Sequence, residues 1–178
     1  EEIERINALK KLIVAYQHAP KDGRPLSIAV FGAPGSGKSF AIKQLAATLG
    51  FDRKSILVFN LSQFSAEHGT AELHTAFHVV RDASVRGEIP LVFWDEFDSA
   101  DFRWLKEFLA PMQDAEFQAG SLTHPFGKAI FVFAGGVCAS FEEFAKKADD
   151  LKREKAPDFV SRLRRSEERR VGKECATL

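Results

Sequence analysis

Gly32-Ala33-Pro34-Gly35-Ser36-Gly37-Lys38-Ser39 follows directly on the apolar run Leu26-Ser27-Ile28-Ala29-Val30-Phe31. It leads into a helix-forming stretch, Lys38 to Leu49, closed by Gly50. The eight residues satisfy G-x-x-x-x-G-K-[ST] in full, with a strand before them and a helix after. The residue types are those a phosphate cradle needs. Glycines let the backbone curl so that successive N–H groups point inward at an anion. The helix that follows adds the positive end of its dipole. Lys38 supplies a mobile cation for the β- and γ-phosphates, and the Ser39 hydroxyl can ligate Mg2+. The nucleotide-binding candidates are therefore Gly32, Ala33, Pro34, Gly35, Ser36, Gly37, Lys38, Ser39 and Phe40, with Ser39 also a metal candidate.

A second apolar run, Leu91-Val92-Phe93-Trp94, ends in the acidic pair Asp95-Glu96. In parallel α/β sheets ligands bind beyond the carboxyl ends of the strands, so a strand near the first would set Asp95 beside the phosphate loop. Asp95 can hold Mg2+ directly or through water. Glu96 can orient and deprotonate an attacking water. The bland reading, that the two acids only begin a loop, loses ground because a complete phosphate loop accompanies them.

Outward from these segments, the periodicity predicts alternating elements and no internal repeat. Residues 2–16 place Ile3, Ile6, Leu9, Leu12, Ile13 and Tyr16 on one helical face. Residues 20–25 read as a turn, 55–60 as a buried strand and 70–86 as a helix stopped by Gly87. Strand 90–94 follows. Phe102, Leu105, Phe108, Leu109 and Met112 predict a helix begun near Asp101. Residues 113–127 read as a loop or hairpin, 129–134 as a strand and 141–155 as a charged helix. Strands alternating with helices predict an α/β chain with a parallel sheet. Arg165 to Lys173 has no apolar face and reads as a sequence junction or frame error. The expected organisation is an N-terminal helix and linker over 1–24, a core over 25–164 and a non-native or disordered tail over 165–178.

Composition narrows the classes. At 178 residues, 45% hydrophobic and 28% charged, the chain has room for one real core. Twenty-five Lys and Arg balance twenty-five Asp and Glu, so net charge argues for neither nucleic acid nor a membrane surface. No apolar run is long enough to span a bilayer, and residues 1–16 do not read as a signal peptide. The two cysteines, Cys138 and Cys175, show no metal spacing, and a cytoplasmic location is the expectation. Seventeen Phe against one Tyr predict a core of rings that need no hydrogen-bond partner.

The chain resembles the AAA+ ATPases, nearest to the Clp-type chaperone ATPases. Beyond the phosphate loop (Walker A) and Asp95-Glu96 (Walker B), Asn60-Leu61-Ser62-Gln63-Phe64 is similar to their Asp-Met-Ser-Glu-Tyr segment. Leu109 to Gly120 resembles their Leu-Leu-Gln-x-x-Asp-x-Gly segment. Pro157-Asp158-Phe159-Val160-Ser161-Arg162-Leu163 looks like their Pro-Glu-Phe-x-x-Arg-apolar box, which carries an arginine finger, and Arg162 is the matching position. The resemblance spans residues 25–164. It implies a three-layer P-loop fold with core strands ordered 5-1-4-3-2, the fifth missing here. It also implies Mg-dependent ATP hydrolysis, with Glu96, Lys38 and Arg162 catalytic, coupled to remodelling of an unidentified protein partner by a homo-oligomeric ring. Four departures stand out. The segment after the fourth strand, Gly135-Gly136-Val137-Cys138-Ala139-Ser140, has no Asn to act as the polar sensor. No aromatic pore loop lies between Phe64 and Leu73. The odd tail stands where the fifth strand should follow Leu163, and no helical lid follows it. The chain thus reads as the N-terminal subdomain of a longer protein.

Other readings weigh less. A GTPase would carry an [NT]-K-x-D tetrad, which does not occur, and nothing identifies a kinase acceptor site. His74 and His78 have metal-ligand spacing, but residue 75 is Thr where H-E-x-x-H needs Glu. Lys146, Lys147, Lys152, Arg153 and Lys155 alternate with Asp149, Asp150 and Glu154, a solvated helical face. A scaffold that binds ATP but hydrolyses it poorly is the alternative from another class; Gly135-Gly136 favours it, and Glu96 and Arg162 oppose it.

Overall fold

The computed structural model describes residues 2–20, 23–32, 37–150, 155–168 and 176–177. Its centre is a parallel sheet of β1 (Leu26–Phe31), β2 (Ile56–Asn60), β3 (Leu91–Asp95), β6 (Ile130–Ala134) and β7 (Ala176–Thr177). The order is β2-β3-β6-β1-β7, the expected 5-1-4-3-2 read from the other edge. The fifth place is not empty. Ala176 pairs with Val30 and Thr177 with Phe31. The presumed tail therefore starts inside a helix, since α6 (Ala156–Glu168) runs through residue 165, and the sheet edge recruits two of the last residues. Residues 169–175 and 178, with Cys175, lie outside the described residues.

Both sheet faces are covered, so successive strand residues enter different cores. Ala29, Phe31, Val92, Trp94, Phe131 and Phe133 point to one side, with residues of α3 (Gly69–Val85), α5 (Phe141–Asp150) and α6. Ile28, Val30, Leu91, Phe93, Ile130 and Val132 point to the other, with Leu9 and Ile13 of α1 (Glu2–His18) and Ile42 and Leu45 of α2 (Lys38–Thr48). These are the expected three layers. The first core is largely aromatic. Phe77 meets Trp94, Phe108, Phe117 and Phe126 at 5.3 to 5.7 Å between centroids, mostly edge to face.

The helix expected from Asp101 to Met112 is broken. Short 3-10 turns at Ala100–Phe102 and Leu105–Phe108 precede α4 (Leu109–Asp114). Ala100, Asp101 and Phe102 all have positive φ, which a right-handed helix cannot contain. Pro111 is tolerated only in the first turn of α4, because deeper in a helix its ring would clash with the carbonyl four residues back. The following hairpin, β4 (Glu116–Ala119) with β5 (Leu122–Pro125), turns at Gly120, whose φ is +63°. Elsewhere the expected elements shift by a residue or two, except that the helix expected over 141–155 is α5, Phe141–Asp150; residues 151–154 lie outside the described residues, and Lys155 precedes a separate helix, α6.

α1 is fastened at its carboxyl end. The Lys128 ammonium donates to the carbonyls of Tyr16 (2.6 Å), Ala19 (2.9 Å) and Gln17 (3.2 Å), the groups a helix end leaves unsatisfied. The only tyrosine sits in the same joint. Its hydroxyl donates to Arg24 O at 2.7 Å and accepts from Ala129 N at 3.2 Å. Burial pushes the Tyr16 phenol up to about 12. An unfolded tyrosine ionises near pH 10, so between about 10 and 12 the unfolded chain has released a proton that the folded chain still holds, and stability falls as pH rises. Urea titrations across that range should show wild type losing stability more steeply than Tyr16→Phe; parallel curves would mean that the phenol is not coupled to folding.

Candidate nucleotide site

Lys38, Asp95 and Glu96 gather at the carboxyl ends of β1 and β3, beside that of β6. Register makes this unavoidable: Ala134 is paired with Val30 on one side and Asp95 on the other. Gly32 leaves β1, Asp95 ends β3, and Gly135-Gly136 leave β6. Two backbone bonds tie these ends together, Gly135 N to Val30 O at 3.0 Å and Phe97 N to Ala134 O at 3.4 Å.

Ala33, Pro34, Gly35 and Ser36 lie outside the described residues. On either side of them the loop is fixed. Gly37 has φ +79°, a conformation that suits glycine, and begins α2. Lys38 is buried in the first turn, and its ammonium donates to Gly32 O at 2.7 Å. Ser39 is half-buried beside it, and Phe40 is 67% exposed.

Asp95 is half-buried and accepts from Glu96 N at 3.2 Å. Burial, and then the negative charge of Glu96, push the Asp95 carboxyl up; the Lys38 and Lys43 ammoniums pull it back. No cluster of three or more His, Cys, Asp or Glu able to hold a metal occurs among the described residues. Asp95 and the Ser39 hydroxyl could serve only as a sparse oxygen set, which Mg2+ accepts when phosphates and waters complete its shell.

Glu96 turns the chain sharply, at φ +52°. Gly136 presses on it: a Cβ at Gly136 would lie 2.8 Å from Glu96 Cγ. Asp98, which the motif reading did not single out, is only 1% exposed and holds the loop after β6. Its Oδ1 accepts from Gly136 N at 2.7 Å, and its Oδ2 from Val137 N at 3.0 Å and Cys138 N at 2.8 Å. The only sequence signal was a third acid in Asp95-Glu96-Phe97-Asp98. Cys138 is buried, and burial, with the charge of Asp98, pushes its thiol up to about 11.

Arg162 is on α6 and engages α4: its Nε and Nη2 donate to Gln113 Oε1 at 3.1 and 2.6 Å. His74 and His78 are not a bare surface pair, because the His78 ring stands 4.6 Å from His124, whose Nδ1 lies 2.9 Å from Arg81 Nη1. Lys147 pairs with Glu143 at 2.9 Å, as a solvated charged face should. No described helix is long and apolar enough to cross a membrane.

A parallel sheet in this order, with a G-x-x-x-x-G-K-S segment between its first strand and the following helix, defines a P-loop nucleotide-binding fold. Within that class the chain belongs to the AAA family: the model of the ATPase family associated with various cellular activities matches residues 28–124, more than half of it. The solved S. cerevisiae Hsp104-ADP complex shares the fold, at a TM-score of 0.61 and 16% identity over 91% of this chain. The chain spans 32% of the length of that Hsp104 chain. No curated protein sequence matches. Family membership makes ATP or ADP the expected ligand, and Lys38→Ala should weaken ATP binding at least about tenfold, about 1.4 kcal/mol, in calorimetric titration. Equal affinities would remove Lys38 from the phosphate site.

Proposed function

We propose that this chain binds Mg-ATP and hydrolyses it to ADP and phosphate, as the motor unit of a ring that remodels a protein partner. The observation that carries the reading is the convergence at one sheet end of Lys38, which donates to Gly32 O just beyond β1, and of Asp95-Glu96 at the end of β3, the two strands flanking β6 at Ala134. Residues Gly32 to Phe40 hold the nucleotide, the loop N–H groups and the amino end of α2 facing the phosphates. Lys38 exchanges Gly32 O for a phosphate oxygen, which strengthens its hydrogen bond because both partners are then charged. Asp95 and Ser39 hold Mg2+, which supplies charge neutralisation on the phosphates. Glu96 takes the proton of the attacking water.

Arg162 does not join this set within the chain, since Gln113 holds it. We assign it to a neighbour's ATP in the ring, where a guanidinium stabilises transition-state charge by about 10³–10⁵ in rate. The 178-residue chain alone is then a slow enzyme. The likeness to Hsp104, under 25% identical, supports the fold, while the ring and the remodelling rest on the resemblance to the Clp-type ATPases. A second reading, a nucleotide-gated scaffold with little hydrolysis, is favoured by Gly135-Gly136 standing where a polar sensor is expected.

Glu96→Gln separates the two readings. It should leave ATP affinity intact and slow turnover at least about a hundredfold, the usual loss of a general base. Negligible turnover in wild-type full-length protein would favour the scaffold. Arg162 is tested by mixing: Glu96→Gln subunits with a good Arg162 should restore turnover to Arg162→Ala subunits with a good Glu96. Hydrolysis by the 178-residue chain that is fast and independent of concentration rules out a finger supplied in trans.

A further inference from the structure

We infer that Asp98 is a positioning residue for the water-activating carboxylate, acting on Glu96 through the backbone of Gly136. The inference rests on the catalytic role proposed above for Glu96. Asp98 is almost wholly enclosed, and an enclosed carboxylate persists only if hydrogen bonds replace its hydration. Here three successive amides supply them, Gly136, Val137 and Cys138. Those amides open the segment between β6 and α5, the stretch where the family's usual polar sensor is missing. A carboxylate that gathers three consecutive N–H groups fixes the path of that backbone.

The path matters because of where Gly136 lies. There is no space for a side chain at this position, since its Cβ would fall 2.8 Å from Glu96 Cγ. Gly136 is outside the left-handed region, so the glycine serves close approach and not an unusual φ. The backbone of Gly136 is thus a wall against the methylenes of Glu96. Gly135 completes the frame: its Cβ would lie 2.9 Å from Phe31 Cδ1 and 3.3 Å from Asp98 Oδ2. Asp98 and Glu96 leave the same strand end, and Asp98 thereby sets the loop that limits where Glu96 can swing. In place of a polar sensor side chain, this chain has two glycines pulled in by a buried acid.

The bond pattern selects the variants. Asp98 Oδ1 serves Gly136 alone, while Oδ2 serves Val137 and Cys138. In Asp98→Asn one oxygen becomes an NH2 group that cannot accept. Keeping the amide oxygen on the two-bond side leaves the Gly136 N–H facing a donor, which frees the residue that touches Glu96. Gly136→Ala perturbs the same contact from the other side and leaves Asp98 untouched. The added methyl meets a flexible side chain, so the cost falls on Glu96 placement more than on folding.

The test is single-turnover hydrolysis with protein in excess over ATP, together with ATP titration. Asp98→Asn and Gly136→Ala should each slow the chemical step by roughly tenfold to a hundredfold, the scale of a reacting group misplaced by about an ångström. ATP affinity should stay within about twofold of wild type, as expected for sites that do not interact. In a Glu96→Gln background each change should alter the residual rate by less than about twofold, because a positioning residue has nothing left to position. Wild-type rates in both single variants overturn the inference. So does an undiminished slowing on top of Glu96→Gln, which would mean that the loop acts by another route. If circular dichroism shows Asp98→Asn unfolded, Gly136→Ala decides alone. Wild-type hydrolysis by Glu96→Gln removes the base and this inference with it, an outcome told apart from the others because it needs no change at Asp98.

Discussion

β1, β3 and β6 are covered by helices on both faces, and this constraint shapes the molecule. Along Leu26 to Phe31, Leu91 to Trp94 and Ile130 to Ala134 every side chain enters one core or the other. The cost of burying an unpaired polar group excludes charge from these runs, leaving Ser27 as their one polar side chain. Charge is therefore confined to the strand ends, and parallel strands put all their carboxyl ends on one edge. Lys38, Asp95, Glu96 and Asp98 all lie just beyond strand ends on that edge, while Lys128 lies at the opposite end of β6. The chemistry at that edge and the apolar runs behind it are two consequences of one packing arrangement.

The same constraint explains the aromatic composition. Phe97 meets Phe31, Phe133, Phe144 and Phe159 with centroids 5.3 to 5.9 Å apart. A hydroxyl on any of these rings would need a hydrogen-bond partner of its own, which a phenyl ring does not. Tyr16 sits at the α1 joint, where Arg24 O and Ala129 N satisfy its hydroxyl. Phe97 and Phe31 also back the site. They put apolar, close-packed support beneath Glu96 and Gly135, so the backbone at the strand ends rests on rings that cannot easily give way.

What could be read from the residues follows from what each does. The Gly32–Ser39 segment and the Asp95-Glu96 pair stand out in the sequence because the roles proposed for them need particular residue types at fixed spacing. The strands were legible because burial on both faces leaves unbroken apolar runs. The segment from Ala100 to Asp114 was not, because its apolar spacing fits one helix while three left-handed residues and Pro111 break it. Asp98 was illegible for a different reason. Its partners are the backbone N–H groups of Gly136, Val137 and Cys138, which carry no mark in the sequence. β7 was missed because two residues completing a sheet edge need no periodicity of their own.

Gln113 gives Arg162 a particular character. One neutral amide oxygen accepts both guanidinium bonds, so the geometry of the arginine is held while its charge is left uncompensated by that partner. A carboxylate there would have locked the side chain, because a bidentate ion pair is the stronger arrangement. Exchanging the amide oxygen for a phosphate oxygen replaces a bond to a neutral acceptor by one in which both partners are charged. On the reading proposed here, Gln113 holds the arginine ready and releases it when a neighbour presents ATP. On that reading, Lys38, Asp95 and Glu96 belong to the site within one chain, with Gly136 and Asp98 behind Glu96. The cation that α6 holds against α4 would then reach such a site only from a neighbouring subunit, so that on the proposed reading assembly is what adds the last charge.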